Sequence, residues 1–413
     1  MVIIMNEKFF QNKQAVIVLV AASLVVLVSM GIRQTWGLFY NFFETDLGFS
    51  REQFGLAIGI QMVFWGSLAP VFGLFADKYG ANRIVIFAFA LYILGVYWIL
   101  QEPKTVFGFQ MSLGVLVGFA LGGTAMSVQV STVGKFFSNK NRTIATGLVT
   151  ASASIGFFLL PMFAKFSNSS FGWKSTLENY IYLLIFGAIC SLFLLRKEYV
   201  DETNNQYTRD QTANRALKEA FSHKGYKLLV AGFFVCGFQI TLVATHLPGY
   251  IQQKGLPDWT AAGILSLIGL FNIFGTLGMG YLSTKYSKKI LLSWLYFLRA
   301  VAILLFLFLP SSIYVALGFG VVFGILWLAT IPPTNGIVAQ IFGTKYLTTL
   351  FGIVFFSHQV GSFLGAYLGG YFYNEFGSYD YAWYLSIMLS IFAGLVHLPI
   401  DERPIVRTAA TQN

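Results

Sequence analysis

Apolar residues in this chain come in long unbroken runs, not in narrow amphipathic stripes, and short polar stretches separate the runs. As a helix, a run of about 20 residues rises about 30 Å, enough to cross the hydrocarbon core of a bilayer. Twelve runs of that kind can be drawn, at roughly 15–43, 52–76, 84–101, 107–134, 143–166, 175–195, 228–252, 258–283, 290–309, 312–337, 347–374 and 381–399. The pattern predicts an all-α membrane protein with twelve transmembrane helices. Lys8 and Lys13 ahead of the first run imitate a secretory signal. The run from Ala15 to Phe43 is too long for one, and no small-residue cleavage site follows, so it is read as the first spanning helix.

The longest polar stretch, 196–227, stands halfway along the chain. It carries Asp201, Asn204, Asn205, Gln206 and Asp210 and then a basic segment from Arg215 to Lys227. Leu217 and Phe221, four residues apart, predict a short amphipathic helix at the membrane surface. This stretch is the expected linker between an N-terminal six-helix bundle, 1–195, and a C-terminal one, 228–413. The halves echo each other. Gly73-Leu-Phe-Ala-Asp77-Lys78-Tyr79-Gly80 follows the second run and Gly280-Tyr-Leu-Ser-Thr284-Lys285-Tyr286-Ser287 the eighth, at an offset of 207. Gly147 and Gly156 match Gly352 and Gly361 at an offset of 205. Internal repeats of this kind are typical of transporters, with the substrate site between the repeats near the midplane.

Composition agrees. Of 413 residues, 56% are hydrophobic and 11% charged, against about a quarter charged in soluble domains. Mean hydropathy is +0.68. The 41 glycines suit close helix packing in a bilayer. A net charge of +10 in a soluble chain would raise nucleic acid as a partner; here its placement gives a plainer reading. With both termini in the cytoplasm, the cytoplasmic segments hold 20 Lys and Arg and the external loops 5, as the positive-inside rule requires. Cys190 and Cys236 both lie in apolar runs, so no disulfide framework is expected. There is no phosphate-binding loop for ATP drive, no metal-spaced Cys/His cluster and no catalytic set, so neither enzyme nor cofactor is expected.

The segment Gly73-x3-Asp77-Lys78-x-Gly80-x2-Arg83 resembles the loop signature between helices two and three of the major facilitator superfamily. The second copy departs from it, with Thr284 where the first has Asp77. Further segments resemble bacterial monocarboxylate-porter and oxalate/formate-antiporter relatives. These are Arg33-Gln-Thr-Trp-Gly-Leu-Phe39, Asp46-Leu-Gly-Phe-Ser-Arg51, Cys236-Gly-Phe-Gln239, Thr245-His246-Leu247-Pro248, Pro332-Pro333-Thr334 and His358-Gln359-x-Gly361-Ser362. The resemblance implies two six-helix pseudo-repeats that rock about a central site, and a monomer; the compact loops lead us to expect a bacterial inner membrane. It implies a conformational role for Gly73, Asp77, Lys78, Gly80 and Arg83, with Asp77 locking the inward-closed state against a neighbouring helix end or a basic residue. It also implies a cation in helix one, which Arg33 supplies, and an arginine in helix eight, which this chain lacks: Asn272 and Thr276 stand there, and Arg299 follows in helix nine.

Ionisable groups deep in a bilayer cost about 2.5–3.5 kcal/mol each on insertion scales and usually face a cavity or a partner. Four qualify: Arg33, His246, Arg299 and His358. No Asp or Glu lies well inside any run. Cation carriers need a buried carboxylate; anion carriers need Arg, His and amides. The expected substrate is therefore a small organic anion, with a proton as coupling ion and lipid as the only other partner. Arg33 would grip a carboxylate bidentately; its competing role is snorkelling to the interface. His358 would contact substrate or carry the proton; the alternative is a structural hydrogen bond. His246, beside the helix-bending Pro248, is either a site or a gate-packing residue. Arg299 is either a contact or the partner of carbonyls at a helix break. Gln239, Asn272 and Gln359 are candidate contacts whose plain alternative is interhelical bonding. Pro332-Pro333 is expected to interrupt helix ten near its cytoplasmic end. The leading expectation is proton-coupled uptake of an anion such as a monocarboxylate. Exchange or efflux by the same fold is the second, and a non-transporting sensor on this scaffold the third.

Overall fold

The computed structural model describes residues 12–137, 139–194, 212–343 and 345–405. Among these, twelve membrane-length rods form. Ten helices are long and apolar enough to span. One of them, 139–191, changes direction at Gly172 (φ 83°, ψ 164°), a conformation open to glycine, and is two rods in space. The 18-residue Asp380–His397 completes the set. We number the rods α1 (Lys13–Gln34), α2 (Arg51–Tyr79), α3 (Ala81–Leu100), α4 (Val106–Gly134), α5 (139–171), α6 (173–191), α7 (Lys224–Gln253), α8 (Trp259–Lys285), α9 (Lys288–Phe308), α10 (Ile313–Phe342), α11 (Leu347–Phe376) and α12 (Asp380–His397). The chain is a multi-pass membrane protein.

Local chemistry sets the helix ends. Ser50 and Gln53 form a reciprocal capping box at the start of α2, and Thr105 and Ser312 cap α4 and α10. Glu402, from the tail beyond α12, accepts from the Lys289 backbone N–H and the Ser287 hydroxyl, satisfying the first turn of α9. Outward-facing side chains such as Leu74, Phe107, Phe274 and Phe308 are large, apolar and exposed, as a lipid-facing surface requires.

One apolar core runs from Ala15 to Leu194 and a second from Ala220 to Ile400. Both sets of six follow the same plan. α4 breaks at Thr124–Ala125 and α10 at the corresponding level, residues 327–330. The interruption of α10 thus lies at mid-helix, not near the terminal-side end where the proline pair suggested it. Pro332 and Pro333 occupy the first turn of the second piece, Ile331–Phe342, where a missing N–H costs nothing. The first expected helix, 15–43, also divides. α1 ends at Gln34, a tight turn spans Trp36–Phe39, and Tyr40–Leu47 resumes. At that turn a Cβ on Gly37 would strike the Ala244 carbonyl of α7, so only glycine allows this approach. The expected surface helix is present as Ala213–Ser222, with Leu217 packed inward. The acidic half of the linker lies outside the described residues.

The two sets of helices meet along two equivalent seams, α2 with α11 and α5 with α8, and also where the Trp36–Phe39 turn meets α7. The seams are tight on the side away from the termini. Cβ atoms on Gly55 and Gly370 would strike the backbone of Ala366 and Arg51, and one on Gly269 that of Phe157 and Phe158. Contact continues to mid-helix, where Gly66 admits the Gln359 side chain and Asn272 bonds Ser154. On the terminal side, Met126–Gly134 of α4 and Ile331–Phe342 of α10 pack within their own six helices. The structure is therefore closed away from the termini and parted toward them.

Candidate functional site

The lower edge of the closed seam holds the clearest constellation. Arg33, at the end of α1, is 9% exposed. Its Nη2 donates to the Met62 Sδ at 3.3 Å, and its guanidinium sits 5.3 Å from the Trp65 ring centroid, both on α2. No carboxylate among the described residues lies within ion-pair reach of it. A thioether and an indole face desolvate a guanidinium without neutralising it.

Trp65 continues the row across the seam, meeting Phe355 of α11 edge-on at 5.9 Å. Phe355 in turn stacks on His358 at 5.6 Å and 11°. His358 Nδ1 lies 3.0 Å from Gln359 Oε1, an amide oxygen that can only accept, so Nδ1 is the donor of this contact. Gln359 Nε2 is buried and finds no partner among the described residues. The fold thus brings Arg33, His358 and Gln359 to one level, joined by two aromatic rings that sequence reading did not single out. Met62, Trp65 and Phe355 carry no linear signal; they belong to the site only because α2 and α11 lie side by side.

Asn272 stands at the matching level of the other seam. Its Nδ2 donates to Ser154 Oγ at 2.8 Å across the seam, and its Oδ1 accepts from Leu328 N at 3.0 Å and from Thr276 Oγ1 at 3.2 Å. It therefore ties the α10 break to the contact between the two sets of helices.

Arg299 is fully buried and committed to the break itself. Its Nη2 donates to the carbonyls of Leu326 at 2.6 Å and Trp327 at 2.5 Å, its Nε to Leu326 at 3.2 Å, and its Nη1 to Gln239 Oε1 at 3.3 Å. Carbonyls left open by the interrupted helix need donors, and a guanidinium fork supplies several at once. Gln239 passes the network to α12 through Ser386 and Ser390. His246 Nε2 donates to the Ala366 carbonyl at 2.6 Å, with its ring against Tyr379 and over Gly369. Arg299, Gln239 and His246 are thus engaged in bonds between helices, and the Cys236 thiol lies between Arg299 and His358.

In the loop signature, Asp77 pairs with Lys135 at the end of α4, a tie within the first six helices rather than across the seam. Gly80 ends α2 with φ 97° and Gly73 meets open space. Lys78 lies over the Tyr79 ring and Arg83 is exposed.

Sequence reading counted Arg51 with the loop charges. It is 8% exposed and caged by aromatic rings, with Tyr373 at 3.7 Å, Tyr40 at 4.8 Å and Tyr379 at 5.3 Å. Its Nη1 donates to the Tyr379 hydroxyl at 2.8 Å and its Nη2 lies 3.7 Å from Glu44. Tyr40 and Glu44 lie close to it in the chain, but Tyr373 and Tyr379 come from the far end, so position in the chain gave no hint of the full cage.

Comparison with known proteins agrees with this architecture. The family model described as Major Facilitator Superfamily matches residues 21–365 and 279–413. An uncharacterized MFS-type transporter of Bacillus subtilis (strain 168), YcxA, is 24% identical over 343 residues, 78% of this chain and 80% of that protein. Monocarboxylate transporter 12 of Rattus norvegicus is 26% identical over 324 residues, 69% of this chain and 65% of its own length. The chain thus spans about two thirds of that relative. A crystal structure of a bacterial homolog to human lysosomal transporter Spinster, inward-facing and unoccupied, matches with a TM-score of 0.72 at 15% identity, covering 94% of this chain and 95% of that one. At that identity the likeness is one of fold.

Proposed function

We propose that this chain, which belongs to the Major Facilitator Superfamily, carries a small organic anion, such as a monocarboxylate, together with a proton, by alternating access. Members of the family are transporters, so the chain is a transporter and not an enzyme. The observation that carries the substrate class is Arg33: a buried cation at the level of the seam with no acid to neutralise it among the described residues. A desolvated guanidinium of that kind favours a carboxylate with two parallel hydrogen bonds. The similarity to monocarboxylate transporter 12 points the same way.

His358 is the proposed proton carrier. A proton gained by its imidazole adds a second positive charge on the Arg33 level and attracts the anion. Anion and proton then cross as a neutral pair. Gln359, with its unpartnered amide, and Asn272, at the opposite seam, would report occupancy to the contact between the halves. Arg299, Gln239 and His246 hold the frame around the site.

The halves are assigned to 1–195 and 228–413, joined by the linker 196–227, and the protein acts as a monomer. The excess of Lys and Arg on the terminal side supports a cytoplasmic orientation of that side, in a bacterial inner membrane in this reading. The structure then corresponds to the inward-open state, and the Asp77–Lys135 tie is one of the contacts that rearranges when the cytoplasmic side closes.

The test is uptake of labelled lactate and pyruvate into proteoliposomes, with and without an inward proton gradient. Gradient-dependent accumulation is expected, and Arg33→Gln should remove it while the protein stays folded. Normal uptake by that variant would sink the role of Arg33. Counterflow without gradient-driven accumulation would replace symport by exchange.

A further inference from the structure

A cavity of about 210 Å³ lies on the side away from the termini, outside the closed seam and far from the Arg33 row. Both halves build it: Asn41, Glu44 and Arg51 from the first, Gly249, Gln252 and Tyr373 from the second. Its volume equals that of roughly seven water molecules, enough for a solute of a few heavy atoms. Its charge pattern differs from that of the central site. Arg33 has no acid beside it among the described residues, whereas Arg51 has Glu44 at 3.7 Å. A net anion entering this cavity meets Glu44, and a net cation meets Arg51. A solute carrying both charges on neighbouring atoms meets a partner for each.

We propose that this cavity binds a small zwitterion of the amino-acid type, with its carboxylate on Arg51 and its ammonium on Glu44, and that occupancy holds the seam shut. The Arg51 guanidinium is more than nine-tenths buried yet lines the cavity, with Nη1 held by the Tyr379 hydroxyl and Nη2 on the Glu44 side. The side chains of Asn41 and Gln252 supply amides on opposite walls. The link to conformation follows from where the walls come from. Arg51 and Glu44 move with one half and Gln252 and Tyr373 with the other, so the cavity has this shape only while the seam is closed. A ligand that binds one state better shifts the population toward it. Binding does not depend on the proposed anion transport; only the consequence, slowed cycling by a solute outside the gate, rests on that reading.

The test uses the purified full chain in detergent micelles, with labelled L-alanine and L-serine as probes. Saturable binding of one molecule per chain is expected. Glu44→Gln and Gln252→Leu should each weaken it by about tenfold or more, and Arg33→Gln should leave it within about twofold. Excess lactate should not displace the probe. Spin labels at Tyr79→Cys and Tyr286→Cys, at the terminal-side ends of α2 and α8, should show the parted distance more populated when alanine is added. The site is overturned if neither amino acid binds the folded protein. It is also overturned if lactate displaces the probe, if Arg33→Gln abolishes binding, or if both cavity variants bind like the wild type. An unchanged distance distribution at saturation overturns the link to the seam. Lactate uptake succeeds or fails independently of all these outcomes, so the two proposals are tested separately.

Discussion

Asn272 donates its side-chain amide to the Ser154 hydroxyl at 2.8 Å, midway along both α8 and α5. The same side chain accepts the Leu328 N–H at the break in α10. One residue therefore serves two functions that mutation separates. Ser154→Ala removes only the cross-seam bond and should cost about 0.5–1.5 kcal/mol of closure, read as a changed distance distribution with little loss of thermal stability. Asn272→Ala also strands a backbone N–H at the break and should lower stability by roughly 1–3 kcal/mol. Equal thermal midpoints for the two variants would contradict this division.

The glycines of the seam and those inside a half should behave in opposite ways. A Cβ at Gly55 or Gly370 would meet backbone of the other half, which withdraws when the seam opens. Gly55→Ala and Gly370→Ala should therefore fold normally, stall transport and favour the state open away from the termini, with overpacking of about 1–3 kcal/mol as the driving term. A Cβ at Gly361 would meet the Phe234 carbonyl within the same half, in every state of the cycle. Gly361→Ala should instead lower folded yield. Cysteine accessibility across the seam, set beside folded yield by size-exclusion chromatography, checks both.

Arg33 and Arg299 should separate in the same manner. Arg299→Gln leaves the carbonyls of Leu326 and Trp327 without their donors and should cost about 1–3 kcal/mol of stability for each stranded carbonyl. Arg33→Gln breaks only a thioether contact and an indole contact, so stability should hold while anion transport falls. Thermal unfolding in detergent, read together with uptake, decides. A thermal loss for Arg33→Gln as large as that for Arg299→Gln would mean that Arg33 is structural.

Asp77 and Lys135 form a partly exposed pair, so its contribution to stability should stay below about 1 kcal/mol. Asp77→Asn should leave the unfolding midpoint nearly unchanged. If the pair exchanges partners during the cycle, as proposed, the same variant should slow transport several-fold. A double-mutant cycle with Lys135→Gln measures both terms.

The sequence by itself determined the membrane class, the twelve rods and the repeat. Each follows from a local property: the length of apolar runs, which backbone hydrogen bonding in lipid turns into helices, and residue identities recurring at a fixed offset. It also singled out Arg33 and His358, because a charge inside an apolar run is visible without any contact. Tertiary structure alone decided what those charges touch. Arg299 and Arg33 look alike in the chain, yet one caps a broken helix and the other meets a thioether and an indole, and the α10 break is what separates them. Arg51 looked like a loop charge until Tyr40, Tyr373 and Tyr379 closed around it. The Trp65–Phe355 bridge and the outer cavity exist only where one half meets the other. Apolar periodicity describes one helix at a time, whereas a site between halves depends on which helix faces are brought together, and only the packing of the whole chain specifies that.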